Sequence, residues 1–132
     1  MAELQLIVVT PEETALDQSC EFISLPIYDG EAGVLPGHAP MIGRLGPGEL
    51  RVRAGGKDSS YYVDGGFVQI ESNVVSVMTG RATPAAQLDL AAARQALEEA
   101  NGKPGETLEL MELKRKAVDQ ATAMIRLAQK AK

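Results

Sequence analysis

The hydrophobic period of this 132-residue chain changes once, at Thr83-Pro84. That change limits the fold more than any single motif. Before it, apolar residues recur at about every second position, the repeat of a strand with one buried face. After it they recur at steps of three and four, the repeat of a helix packed on one side. A run of strands followed by a run of helices predicts a β part and a separate α part, not alternating βαβ units. The expected boundaries are 1–84 and 85–132.

In the first part, Leu4-Gln5-Leu6-Ile7-Val8-Val9 reads as a strand ended by Thr10-Pro11, and Thr14 to Asp17 as a weaker one. Cys20 to Leu25 alternates until Pro26. Met41 to Leu45 is closed by Gly46-Pro47-Gly48, which reads as a turn. Glu49 to Arg53 and Ser59 to Val63 flank a hairpin turn around Gly55-Gly56, and Asp64-Gly65-Gly66 reads as a further turn. Phe67 to Ile70 and Val74 to Met78 form a hairpin around Glu71-Ser72-Asn73. Short strands at this spacing predict an antiparallel sandwich or barrel.

In the second part, Ala85 to Ala100 is rich in strong helix formers, with Leu88, Ala92, Ala96 and Glu99 expected on one face. Asn101-Gly102-Lys103-Pro104-Gly105 ends it. Glu106 to Ala131 repeats Leu110, Leu113, Ala117, Ala121, Met124 and Ala128 at helical steps. The short connection predicts an antiparallel two-helix hairpin.

The totals narrow the function. Residues 1–83 carry eleven acids against five bases, a net of −6, and the remainder seven against eight, a net of +1. Such a chain does not suit nucleic acid, whose binders present basic faces. No apolar run reaches the length of a membrane span, and no basic-then-apolar leader opens the chain. The lone Cys20 in a strand pattern reads as a small buried hydrophobe, which fits a reducing compartment. In the second helix the acids Glu106, Glu109 and Glu112 precede the bases Lys114, Arg115, Lys116 and Arg126. That order complements the helix dipole, and it also offers a basic end to an acidic partner.

The stretch Gly30-Glu31-Ala32-Gly33-Val34-Leu35-Pro36-Gly37-His38-Ala39-Pro40 is a shaped loop with a short strand inside it. It holds the single histidine, with no cysteine or second histidine to complete a metal site. The serines lack the strand–turn–helix context of an activated nucleophile. Gly55 to Ser59 lacks the upstream glycine and following helix of a phosphate loop, and Gly30 to Gly37 does not match the dinucleotide fingerprint. Asp29 and Glu31 are paired acids on a loop with no obvious third group. With no catalytic constellation and no cofactor motif, the residues describe an interaction protein.

The chain resembles the epsilon subunit of bacterial F-type ATP synthases, which is equivalent to the mitochondrial delta subunit. The resemblance runs over the full length. Its residues are Leu6 to Pro11, Gly30 to Pro40, Gly48-Glu49-Leu50-Arg51-Val52, Gly65 to Ile70, and Leu88-Asp89. It implies a sandwich of about ten short strands followed by a regulatory helical hairpin. It implies a non-catalytic rotor subunit that couples ion-driven rotation to ATP synthesis, peripheral to the cytoplasmic face of the bacterial plasma membrane. The sandwich would grip the gamma subunit through Thr10, His38 and Gly43. It would rest on the membrane-embedded c-ring through Asp29, Gly30, Glu31, Ala32 and Gly33. The hairpin would brake hydrolysis by bringing Lys114, Arg115, Lys116 and Arg126 to acidic loops of the alpha/beta catalytic head.

The resemblance also raises a second reading, a nucleotide-sensing module that binds ATP on the folded hairpin. Members that do so carry Ile or Leu, Asp, two residues, Arg, Ala. Here the arginine position is Ala92, and Arg94 lies two residues on, roughly 200° around the helix. Weak or absent ATP binding is expected.

Overall fold

The computed structural model describes residues 3–130. They divide after Pro84 into two compact units. The first holds eight strands: β1 Leu4–Val9, β2 Thr14–Cys20, β3 Phe22–Ile27, β4 Gly30–Val34, β5 Met41–Ala54, β6 Lys57–Glu71, β7 Val74–Met78 and β8 Ala82–Pro84. They hydrogen-bond in the order β2-β1-β7-β6-β5-β3-β4, with β8 also on β6. The sheet folds over on itself, and one aliphatic core fills the interior, from Leu4, Leu6 and Val8 through Ile23, Leu25, Leu50 and Val52 to Val68, Ile70, Val75 and Val77.

The strand count is eight and not about ten, because two expected turns are not turns. Gly46-Pro47-Gly48 lies inside β5, and Asp64-Gly65-Gly66 lies inside β6. These two long strands pair from Met41↔Ile70 to Ala54↔Lys57 in one register that skips only Gly46 and Gly65. The hairpin bends there, so its two halves serve both layers of the sandwich. Gly65 and Gly66 have φ of +91° and +117°, values that L side chains rarely adopt. A Cβ on Gly66 would stand 2.0 Å from the Met78 carbonyl oxygen. At Gly48 a Cβ would stand 2.8 Å from that of Pro26. Pro26 itself continues β3 where a strand end was expected. It sits in the interval where the β3–β5 register shifts, so its missing N–H breaks no ladder bond there. Cys20 closes β2 and does not open β3. The sheet is not wholly antiparallel either, since β1 and β7 run parallel.

Two tight turns match their residues. Gly55-Gly56 and Ser72-Asn73 both have two successive positive φ values, the geometry whose twist suits a two-residue hairpin. Asn73, at φ +64°, also reaches across the fold. Its side-chain oxygen accepts from the Gly37 N–H at 2.7 Å, and its carbonyl accepts from the Gln5 N–H at 2.8 Å. One turn residue thereby ties β1 to the turn after β4.

The second unit holds a short 3-10 turn, Ala85–Gln87, then α1 Leu90–Asn101 and α2 Leu108–Lys130. The first helix starts later than expected because Asp89 caps it, accepting from the N–H groups of Ala91 and Ala92 at 2.9 and 3.3 Å. Its buried positions are Ala93 and Ala100, flanked by half-buried Leu90, Ala96 and Leu97. The expected face through Leu88, Ala92 and Glu99 was thus one position out of phase. In α2, Ala121 and Ala128 are buried as expected, and Ala123 and Leu127, which were not on the expected face, are buried too. Leu113 instead is 63% exposed. The expected helix end at Ala131 lies outside the described residues.

Replacing Gly66 with Ala is expected to lower the unfolding free energy by about 3 kcal/mol or more, since strained φ and a backbone clash coincide. A urea midpoint unchanged from wild type would show that the bend does not depend on this glycine. Asn73→Gly keeps the positive φ and deletes the clamp, whereas Asn73→Asp keeps an acceptor. The Gly37 amide is expected to exchange about five-fold faster in the glycine variant, as for one lost hydrogen bond, and at the wild-type rate in the aspartate variant.

Candidate functional site

A sheet with one solvated face alternates apolar and polar residues. In the layer formed by β1, β7 and the bent ends of β6 and β5, that alternation fails. Val8-Val9, Met41-Ile42, Phe67-Val68 and Val77-Met78 are apolar doublets. Val8, Val68 and Val77 go to the core, so their neighbours stand on the outer face. The register aligns those neighbours: Val9 pairs with Met78, Met78 with Phe67, and Phe67 with Arg44. Tyr28 continues the row, its N–H donating to the Arg44 carbonyl at 2.8 Å. Val9, Met78, Phe67 and Tyr28 are 39, 49, 55 and 54% exposed, and Ile42, one row along, is 79% exposed. Paired strands lie about 4.8 Å apart, so the row is continuous across four strands. A connected apolar stripe of this kind on a folded surface makes the face a candidate docking surface.

Arg44 gives the stripe its one charge. Its guanidinium carbon lies 4.4 Å from the centre of the Tyr28 ring. Beyond β6, the buried Tyr62 donates its hydroxyl to Asp64, and the Arg81 guanidinium stands 5.8 Å from the Tyr62 ring centre. Burial, more than the neighbouring carboxylate, pushes the Tyr62 phenol far above its ordinary value.

The residues singled out from the sequence fall around this face in different ways. Thr10 follows β1 at the Met78 end and closes a turn, its N–H and hydroxyl both donating to the Glu13 carbonyl, at 2.9 and 3.2 Å. His38 lies near the opposite end, in the turn that Asn73 holds. Its N–H donates to the Leu35 carbonyl at 3.1 Å, and its Nδ1 lies 2.7 Å from the Ala39 carbonyl oxygen, which fixes a proton on Nδ1. Gly43 pairs with the buried Val68, so it presents only backbone to the outer face. A Cβ there would meet the Met41 methyl at 2.9 Å. Thr10 therefore adjoins the stripe at its Val9 end, whereas His38 lies at the other end of the same strands, beside the β6–β7 turn, and the two do not meet.

Asp29, Gly30, Glu31, Ala32 and Gly33 form the turn after β3 and most of the edge strand β4. Asp29 and Glu31 are exposed, and the Ser24 hydroxyl donates to Glu31 at 3.3 Å. No third acid, histidine or cysteine joins them to hold a metal among the described residues.

The basic residues of α2 do not form one patch. Arg115 and Arg126 are eleven positions apart, about 20° around the helix, while Lys114 and Lys116 lie about 100° to either side of Arg115. Arg115 reaches back to Glu112 at 2.8 Å. On α1, Ala92 is exposed, and the depression beside it is lined by Ala91, Arg94, Gln95, Glu98 and Glu99. Two carboxylates against one guanidinium do not suit a polyphosphate.

The sequence reading missed Tyr28, Ile42, Arg44, Phe67 and Met78 as a surface. The signal was present in the apolar doublets, which read as stronger strands until the register shows the outward members aligned.

Residues 3–85 match the family described as ATP synthase, Delta/Epsilon chain, beta-sandwich domain. The ATP synthase epsilon chain of Rhodopirellula baltica is 47% identical over 93% of this chain and 96% of its own length. That of Chromohalobacter salexigens is 38% identical over 96% and 91%. A chain in the cryo-EM structure of the Euglena gracilis mitochondrial ATP synthase, OSCP/F1/c-ring, superposes with a TM-score of 0.83 at 29% identity, covering 94% of this chain and 80% of that one. No helix among the described residues is long and apolar enough to cross a membrane. From its sandwich, its sequence and its closely superposing relatives, this chain belongs to the ATP synthase delta/epsilon family.

Proposed function

We propose that the chain is a non-catalytic central-stalk subunit of an F-type ATP synthase, with its stripe-bearing face docked on the gamma subunit. The single observation that carries the docking surface is the continuous row Val9, Met78, Phe67, Arg44 and Tyr28 on an otherwise alternating sheet. Thr10, His38 and Gly43 are assigned to the same contact, as the resemblance implies. The acidic turn and edge strand Asp29 to Gly33 meet the polar loops of the c-ring, which suits exposed carboxylates beside glycine. Held by both, the subunit turns with the ring and transmits torque to the alpha/beta head. On this reading the subunit is peripheral to the cytoplasmic face of a bacterial plasma membrane. The helical hairpin, with Lys114, Arg115, Lys116 and Arg126, is the regulatory arm toward the head. Arg115 and Arg126 would meet it together, since they share a face. The nucleotide-sensing reading has no support at Ala92 or in the acid-rich depression beside it.

Phe67→Asp and Met78→Asp each place a carboxylate in the docked face. Both side chains are exposed in the free subunit, so folding is spared. Each is expected to weaken binding to purified gamma about 100-fold, the loss typical of a contact residue near an interface centre. Wild-type affinity in both variants would move the gamma contact elsewhere. In the assembled enzyme, deleting residues 85–132 is expected to raise ATP hydrolysis while leaving rotation-coupled synthesis in place. Unchanged hydrolysis would remove the braking role and keep the coupling one.

A further inference from the structure

The docking reading leaves one side chain to explain. Arg44 stands in the middle of an apolar row, between Phe67 and Tyr28. Its main chain and side chain both engage Tyr28, one through the carbonyl and one through the ring. Arg44 takes part in neither the Arg53–Asp58 nor the Arg115–Glu112 ion pair. Stacking uses the face of a guanidinium and leaves the N–H groups at its edge to donate in the plane. In the free subunit water accepts those bonds. A partner that covers Val9, Met78, Phe67 and Ile42 removes that water, and an unpaired charge left in such a place opposes binding strongly.

Building on the docking reading, we infer that Arg44 is the polar anchor of this face and that the partner presents an Asp or Glu carboxylate to it, set among aliphatic side chains. Carboxylate is the acceptor that matches a planar fork with two parallel N–H···O bonds. Tyr28 acts as the positioning residue, holding the guanidinium flat against the surface before contact. One competing acid in the chain is Asp29, next to Tyr28 in sequence and exposed. The partner's carboxylate must outcompete it, which a bidentate, desolvated pair does. The result is an interface in which apolar area supplies adhesion and one charge pair fixes register.

The test measures binding of purified gamma subunit to the full chain and to Arg44→Ala, Arg44→Lys, Arg44→Glu, Tyr28→Ala and Phe67→Asp, at low and high salt. Each variant is first checked for a wild-type melting curve. Arg44→Ala is expected to weaken binding about ten-fold and Arg44→Glu about 100-fold or more, with Arg44→Lys between wild type and alanine. Wild-type binding should weaken with salt more steeply than that of Arg44→Ala, and Tyr28→Ala should lower affinity while keeping the salt slope. If Arg44→Ala and Arg44→Glu bind as wild type while Phe67→Asp does not, the face docks but the anchor is refuted. If Phe67→Asp also binds as wild type, the docking reading fails and takes the anchor with it. A tighter Arg44→Ala complex would mean that the partner offers no carboxylate, and would equally overturn the inference.

Discussion

The Met78 carbonyl passes so close to Gly66 that no side chain fits between them. Most of the β unit depends on that approach. It permits a 14-residue strand and a 15-residue strand to pair without interruption and yet bend at Gly46 and Gly65. Because they bend, one hairpin supplies the centre of both layers, and the remaining strands add to its sides. The same bend brings Tyr28 against Arg44 and starts the exposed row. Fold and candidate interface therefore share one structural cause.

The interface follows from how the sheet resolves a conflict. An aliphatic core without tryptophan needs nearly every inward position, and Val8, Val68 and Val77 fill it. The outward members of the same doublets have no place inside, so they stand in water on the free subunit. A polar residue at those positions would leave the free subunit equally well folded. The proposed docking accounts for their being apolar, whereas the glycine at position 43, where a Cβ would crowd Met41, answers to inward packing.

The helical unit obeys a weaker specification. Alanine supplies most of the buried positions of both helices, Ala93, Ala100, Ala121, Ala123 and Ala128, the other being Leu127. Small residues permit close helix approach but mark the phase of a helix poorly, because exposed and buried alanines look alike in the sequence. What fixes the start of α1 is a hydrogen bond from a cap, Asp89, and not a change in hydrophobicity. The order of acids and bases along α2 serves its dipole, and the local pair of Glu112 with Arg115 shows part of that charge used within the helix.

The break at Thr83-Pro84, the hairpin turns at Gly55-Gly56 and Ser72-Asn73, and the β-then-α order were legible in the residues, because each is local: period, turn chemistry and helix-stopping glycine act within a few positions. The Gly30 to Pro40 stretch was legible as shaped, and the resemblance it carries was enough to place the family. Strand count was not legible. Gly46-Pro47-Gly48 and Asp64-Gly65-Gly66 spell turns, and only pairing with each other across the hairpin makes them a bend in continuous strands. Nor was the row from Val9 to Tyr28 legible, because it is drawn from four strands and a turn far apart in the chain. Sequence by itself determined which residues turn, pair and coil. Tertiary register alone decided which of them share a surface, since neighbourhood across a sheet depends on partners that no local pattern names.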